Sequence, residues 1–554
     1  MRRLLIVIAA LAVAVLVAVS CTEQSPDKYL APEFGQVEVV LEGLKATVQC
    51  NVIGPGDGFS YGFTLRESGE TKSQEISIKP YGGVLKAEFN GLEPSTDYCI
   101  SAFATNGINI VISAENKFRT AKEEDVEYVV FPDSVFENFI LSKFDNDNDG
   151  FLSFEEAESI SEVECCSDDI RSIEGVEYFT NLERFICNGS GTEYGRRTGK
   201  LTKVDLSKNY RLRYFEVDGN NLTELRLPDK NSNIEEIHCV VNKLESLDLS
   251  KCPKLKYLYC WENSLTTLDL SNNQLLMELH CAQNDFSGGL DVSANKELRS
   301  LACNNTFMQA IDISANIELI ELVCYDNAIK DIDVSKNKEL SRLDCSNNLL
   351  KKIDLSHNTL LNIFTCENNY LKEIDVSQNP NLIVLRCGNN QISSIDISML
   401  TKLEDLSFGD NNIAEPIDLS IFPDLAYYGG NNLPLGRIPD FSHNSKLIGI
   451  HICGSGGAIY MDEAFFRQWP EIKEFNISSY QGESIDLSLN TKMESLWMGD
   501  MPNVRILDLS ASPNLKFVCL NECRKLEKVY LHRDVDISGV EFELNNVHAA
   551  IELK

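Results

Sequence analysis

The sequence predicts a multidomain chain: a β-sandwich, then a small helical cap, then a long β-rich solenoid built from short repeats. Three observations carry this. Apolar and polar residues alternate in strand-length runs across 35–121. A helix-spaced apolar run followed by an acidic loop fills 131–163. From about residue 165 the chain repeats itself, with cysteine returning every 21 or 22 residues between 239 and 387. At 554 residues the chain is too long for one compact core, which suits several domains or a repeat array.

The first residues set the compartment. Met1-Arg2-Arg3 gives a positive start, Leu4 to Val19 is unbroken apolar sequence, and Ser20-Cys21 follows. This is the layout of a secretory signal, and the run is short for a membrane span. The stretch Ala18–Cys21 resembles a bacterial lipoprotein signal, although Ala stands where Leu is usual. The resemblance implies that 1–20 is removed, that Cys21 is lipidated, and that 21–34 is a tether. The expected location is the cell envelope, lipid-anchored in the outer membrane and exposed at the surface. A net charge of −34, from 84 acidic and 50 basic residues, argues against nucleic acid as a partner, because phosphate binding needs stripes of Lys and Arg. A monomer is expected.

Residues 35–121 contain VEVVLEGLKATVQCNV, FSYGFTL and VLKAEFNGL, each alternating like a half-buried strand. The segment LEPSTDYCISAFATNG then places Leu92, Pro94, Thr96 and Tyr98 in a Leu-x-Pro-x-Thr-x-Tyr pattern. This resembles a fibronectin type III domain, in which Tyr98 would take the tyrosine-corner position and the domain would serve as a spacer. Alternation points Cys50 inward and Cys99 outward.

Residues 122–164 hold the helical cap. Phe136, Ile140 and Phe144 recur every four residues, as on one helix face. DNDNDGFLSFEE (145–156) then supplies Asp145, Asp147 and Asp149 at loop positions 1, 3 and 5, with Gly150 at 6. Phe151, Ser153 and Glu156 stand at 7, 9 and 12. This resembles the calcium loop of an EF-hand, where hard carboxylate oxygens on a sharp turn suit Ca2+. The implied role is structural, pinning a helix pair over the start of the repeats. Only one such loop is present.

The repeat runs from 165 to 554. Cysteines fall at 239, 260, 281, 303, 324, 345, 366 and 387. An asparagine follows each by three residues, except that Thr306 follows Cys303. The unit L-x-x-L-x-C-x-x-N-x-L-x-x-L-D-L-S-x-N resembles a bacterial leucine-rich repeat of the internalin type. One unit cannot bury its own apolar face, so stacked coils form one continuous core. Leu255, Leu258, Cys260, Leu265, Leu268 and Leu270 should point inward. The asparagine should bond backbone of its turn and of the next coil. In-register strands hold equivalent Cβ atoms about 4.8 Å apart, longer than a disulfide wants. The cysteines therefore read as a packing column of small hydrophobes. A file of aspartates, from Asp205 through Asp418, alternates with these apolar residues and faces out. Local bonds within Asp-x-Ser turns account for them.

No zinc-protease helix, nucleophile elbow or phosphate loop occurs among the seven histidines and the glycines, so no enzyme is expected. Between the inward Leu and Cys, successive coils present His238, Tyr259, His280, Ala302, Val323, Asp344, Thr365 and Arg386 outward. Tyr257 and Trp261 flank Tyr259, and Tyr325 lies further along. Rigid amphipathic aromatics are what binding surfaces use, and cross-strand aromatics also simply stabilise sheets. The internalin resemblance implies a protein partner on the concave repeat face. A glycan is a second ligand class, since aromatics with Asn and Asp suit sugars. An envelope scaffold without a specific ligand is a third reading.

Overall fold

Alternating residues within the first 120 positions form nine strands: β1 (Glu33–Phe34), β2 (Glu38–Glu42), β3 (Lys45–Ile53), β4 (Ser60–Glu67), β5 (Gln74–Ser77), β6 (Val84–Phe89), β7 (Asp97–Thr105), β8 (Ile110–Ile112) and β9 (Asn116–Arg119). The computed structural model describes residues 31–554 except 55–57, 71, 122–127, 192–195, 231, 415–416, 432–438, 454–462 and 468. The signal, Cys21 and most of the tether therefore lie outside the described residues, as do parts of the Gly-rich stretches around 430 and 455. The chain divides into two compact units, the first ending at Pro132 and the second spanning Asp133–Lys554.

In the first unit, β1, β2 and β6 pair with β3, while β5, β7, β8 and β9 gather around β4 and β7; all these pairings are antiparallel. The two sheets share one apolar cluster, with Ala46, Val48 and Cys50 from β3, Phe63 and Leu65 from β4, and Ile100 and Ala102 from β7. The Tyr98 hydroxyl accepts from the Glu93 amide at 3.0 Å, so this ring ties β7 to the chain five residues upstream. Cys99 stands outside the cluster, as alternation requires, and is buried all the same. Its in-register neighbours are Arg66 and Lys117, whose long stems are suited to covering it.

The second unit begins with helix α1 (Ser134–Phe144), capped by the Asp133 carboxylate, which accepts from the Val135 and Phe136 amides. Its other oxygen accepts from the Arg171 and Ser172 amides and so fastens the helix start to the first coils. Phe136 and Ile140 are buried on one face. Helix α2 (Phe154–Ser159) opens with a capping box between Ser153 and Glu156.

The repeats build one parallel sheet of 18 strands among the described residues, from Glu162–Cys166 to Glu541–Asn545. In the regular coils each strand is three residues long, with a buried middle residue and two partly exposed flanks, as in Tyr257-Leu258-Tyr259. All eight ladder cysteines are buried. Burial pushes their thiols up, to about 12 for Cys303 and Cys387, so they are inert packing groups. N-terminal to Val217, which fills the slot in the intervening coil, the column resumes with Cys187 and Cys165, whose sulfurs are 3.1 Å apart.

The asparagines reach backward, not forward. Asn348 donates to Cys345 O and Ser346 O in its own turn and to Cys324 O of the preceding coil, while its Oδ1 accepts from the Ile329 amide. Each coil is thus stitched onto the one before it. A second buried file does likewise: Asn316 donates to Val292 O and Asn295 O. Thr306 is shorter. It donates to Cys303 O of its own coil and to the oxygen of Asn327, so among the described residues the stitch from this coil back to Cys281 O is missing. The outward aspartates each hold the amide of the serine two residues on, as Asp354 does with Ser356 at 2.9 Å. That Ser356 amide holds the carboxyl below its usual range.

Candidate functional site

Parallel register lines up the outward side chains into rows. Glu216, His238, Tyr259 and His280 occupy one row on consecutive strands, followed by Ala302, Val323, Asp344, Thr365, Arg386, Ser407, Gly429 and His451. Three of the sequence-predicted residues make one continuous ring contact. His238 stacks on Tyr259 at 4.4 Å and 30°, and Tyr259 meets His280 edge-on at 5.0 Å. Tyr214, which sequence reasoning missed, extends the run by touching His238 at 5.4 Å, and the Arg184 guanidinium lies 4.0 Å above the Tyr214 ring. All these rings are half-buried.

Carboxylates fix the run. Tyr259 donates to Glu278 at 2.7 Å, Tyr214 donates to Glu216, and His238 Nε2 lies 2.7 Å from Glu236. Burial and the nearby Glu278 push the Tyr259 hydroxyl well above its usual range, so it stays protonated as a donor. Burial lowers His280, which keeps it neutral. Tyr257 lies in register between Glu236 and Glu278, one residue before the buried Leu258. Tyr325 falls three strands beyond Trp261 in the slot after the ladder cysteine, and the structure does not bring it to the cluster.

A cleft of about 560 Å³ opens beside the run, lined by Asn188, Glu216, Asp218, His238, Tyr259 and Trp261 among others. Its floor is Asp218, only 6% exposed. One carboxylate oxygen accepts from the Val240 amide at 2.7 Å. Burial, with a further push from the Glu216 charge, raises its carboxyl to about 7. Sequence reasoning missed Asp218 because its coil carries Val217 in the cysteine slot. The signal was Asn220 three residues on, which makes the usual stitch to Cys187 O.

A second cleft, of about 310 Å³, lies further along the same row, lined by Glu367, Arg386, Asp405, Tyr427 and His451 among others. Here Asp405, 9% exposed, receives Arg386 through Nε at 3.1 Å and Nη2 at 2.5 Å.

The acidic loop forms a separate candidate. One carboxylate oxygen from each of Asp145, Asp147 and Asp149 lies within 4.8 Å of the others. Asp145 is set by the Asp149 and Gly150 amides, and Glu156 accepts from the Asn146 amide at 2.8 Å and the Ser153 amide at 3.0 Å. Gly150 adopts φ 90°, a turn that needs glycine. Three convergent hard oxygens with a glutamate held at the loop's end fit the donor chemistry of Ca2+.

Short parallel strands, a buried cysteine file and stitching asparagines define the class of the second unit: it is a leucine-rich-repeat solenoid of the internalin type with a cysteine ladder. A family model for Leucine Rich repeats (2 copies) matches residues 380–421. Among solved structures the chain is similar to the functional domain of InlJ from Listeria monocytogenes, described as including a cysteine ladder. The identity is 28%, the match covers 72% of this chain and 79% of that one, and the TM-score is 0.53. It also matches the Leptospira interrogans leucine-rich-repeat protein LIC12759 at 16% identity, over 71% and 97% of the two chains with a TM-score of 0.48. The Listeria monocytogenes internalin InlF matches at 20% identity over 72% and 95%, with a TM-score of 0.36. No curated protein matches the chain. Among the described residues no helix is long and apolar enough to cross a membrane.

Proposed function

We propose that this chain is a lipid-anchored cell-envelope protein that presents the outer face of its long sheet for protein binding or adhesion. The observation that carries this is the run Tyr214–His238–Tyr259–His280, four rings in contact on four consecutive strands. Rigid, half-exposed aromatics lose little entropy on docking and dominate interface energetics. In this reading Cys21 carries the lipid, and residues 35–121 act as a fibronectin type III-like spacer, supported by the hydrogen bond between Glu93 and Tyr98. The protein acts as a binding surface and not as an enzyme.

The test is capture of surface proteins by the full chain, against a Tyr259→Ala/Trp261→Ala variant. The variant should lose the captured species while melting as the parent does. Equal capture would remove the aromatic run from the reading, and signals confined to a glycan array would replace protein by sugar as the ligand. Metabolic labelling with a fatty-acid analogue, lost in Cys21→Ala, tests the anchor.

The acidic loop is proposed to hold Ca2+ through Asp145, Asp147, Asp149, Ser153 and Glu156 side chains and the backbone of Phe151. Its role is to fix α1 and α2 over the first coils. Calorimetric titration with Ca2+ should show one site that Glu156→Gln abolishes; no heat in the parent chain would rule it out.

A further inference from the structure

We propose that the Asp218 cleft takes the guanidinium of an arginine side chain from a protein partner, with Asp218 as counter-ion and Tyr259 and Trp261 as walls. The proposal rests on the reading that this face binds protein, and it names the group that the face selects.

Four observations converge. First, Asp218 is 94% removed from solvent (6% exposed), and Val240 satisfies only one of its oxygens. Among the described residues no donor reaches the other. A carboxylate with one oxygen left unpaired in a cleft is costly as the anion, and either a proton or a cation relieves that cost. Second, none of the described lining residues is Lys or Arg. The nearby Arg197 is committed elsewhere, donating to Asn242 O at 3.1 Å and lying 3.8 Å from Glu262. His238 is held by Glu236. Glu216 adds a second negative charge but is itself occupied by Tyr214 and Asn188.

Third, the same sheet shows a completed arrangement, centred on the first strand position and so four residues before the slot that Asp218 occupies. In the Arg386 cleft an equally buried aspartate, Asp405, is met by a guanidinium from the neighbouring strand beside Tyr427 and His451. The Asp218 cleft has the acid and the rings but lacks that arginine. Fourth, the chain already lays a guanidinium on a ring close by: Arg184 sits over Tyr214 with Nε 3.0 Å from Glu162.

Arginine fits better than lysine because its planar fork stacks on an aromatic wall and donates two parallel hydrogen bonds. A neutral sugar hydroxyl would satisfy the acceptor but leave the charge uncompensated.

The experiment titrates the full chain with L-argininamide and, separately, with the isosteric neutral L-citrullinamide, followed by indole fluorescence and calorimetry. Argininamide should saturate one site with a Kd on the order of 1–10 mM, as expected for one charge-assisted pair with a ring contact. Citrullinamide should bind at least tenfold more weakly. Asp218→Asn keeps an oxygen for the Val240 amide, so the fold should hold; it should weaken argininamide at least tenfold, and Trp261→Leu should weaken it less. Absence of saturation at about 50 mM, equal binding of the two amides, or an unchanged Asp218→Asn variant would each overturn the proposal. So would a neutral oligosaccharide that competes argininamide away at equal strength. If argininamide binds as expected but the full chain captures no partner, the cleft stands and the sheet-face reading falls.

Discussion

The solenoid carries two acidic clefts on one sheet, each opening beside the same outward row, and they solve the same problem differently. Around Asp405 the chain supplies its own guanidinium, and the carboxylate is paired on both oxygens. Around Asp218 it supplies only the Val240 amide, and the carboxyl drifts up to about 7. Both acids are more than nine-tenths buried, so burial alone does not separate them; the partner does. A completed pair is a structural element, whereas a half-completed one is kept at a cost to stability, and such costs gather at functional sites.

The comparison is sharpest under one and the same substitution. Asp218→Asn should stabilise the protein at high pH. The Asp218 carboxyl is raised from near 3.8 to about 7 on folding. The folded chain therefore holds a proton that the unfolded chain has lost between those values. Stability from this group is full below about pH 4 and falls as pH rises toward 7, by up to about 4 kcal/mol. Denaturant melts from pH 4 to 8 should show that decline in the parent and not in Asp218→Asn. Identical slopes would mean that water reaches the carboxylate.

Asp405→Asn should act with opposite sign. It removes the charge partner of Arg386 and should cost about 1–3 kcal/mol at pH 7. A stabilised Asp405→Asn would erase the distinction between the clefts. Arg386→Ala should convert the second cleft into a copy of the first, so that argininamide binds at two sites by calorimetric stoichiometry.

A smaller effect separates the coils themselves. The slot two residues after each ladder cysteine is left-handed, with φ 56° at Val241, 57° at Glu262 and 53° at Gln283. Later coils fill it with Asn305, Asp326, Asn347, Asn368, Asn389 and Asp410, residues that tolerate this conformation. The coils beside the aromatic run do not. Gln283→Asn, at an exposed position, should therefore raise stability by up to about 1 kcal/mol, while Asn347→Gln should lower it. Equal melting of both variants would show that the slot carries no strain.

Much of this architecture is legible in the sequence because repetition amplifies weak signals. One Leu-x-Cys is nothing, but eight at a fixed period set strand, turn and facing, and His238, Tyr259 and His280 followed from that facing. The left-handed slot is written as Asn and Asp in the later coils. What stayed hidden lies where the template is broken. Val217 in a cysteine slot concealed the coil that carries Glu216 and Asp218, and Tyr214 sits in the first strand position, which the outward count skipped. The pairing of Arg386 with Asp405 joins residues 19 apart on adjacent strands, a relation that appears only once the register is known. Tyr325 shares a slot with Trp261 but not its neighbourhood. Cys99 shows that outward and exposed are different things when long neighbours lie alongside.

The short reach of Thr306 has a mechanical consequence. Stacked repeats cooperate through nearest-neighbour interfaces, and in the regular coils up to Asn411 the asparagine stitch is one strong component of the interface. Where Thr306 fails to reach back, that component is lost and a backbone bond from Phe286 to Thr306 spans the gap. The boundary between the Cys281 and Cys303 coils is thus a seam. The Asp218 cleft lies on one side of it and the Arg386 cleft on the other. Under heat or pulling the regular array should part there first, and an event in one cleft should reach the other only weakly, as across a loose joint in a chain of gears.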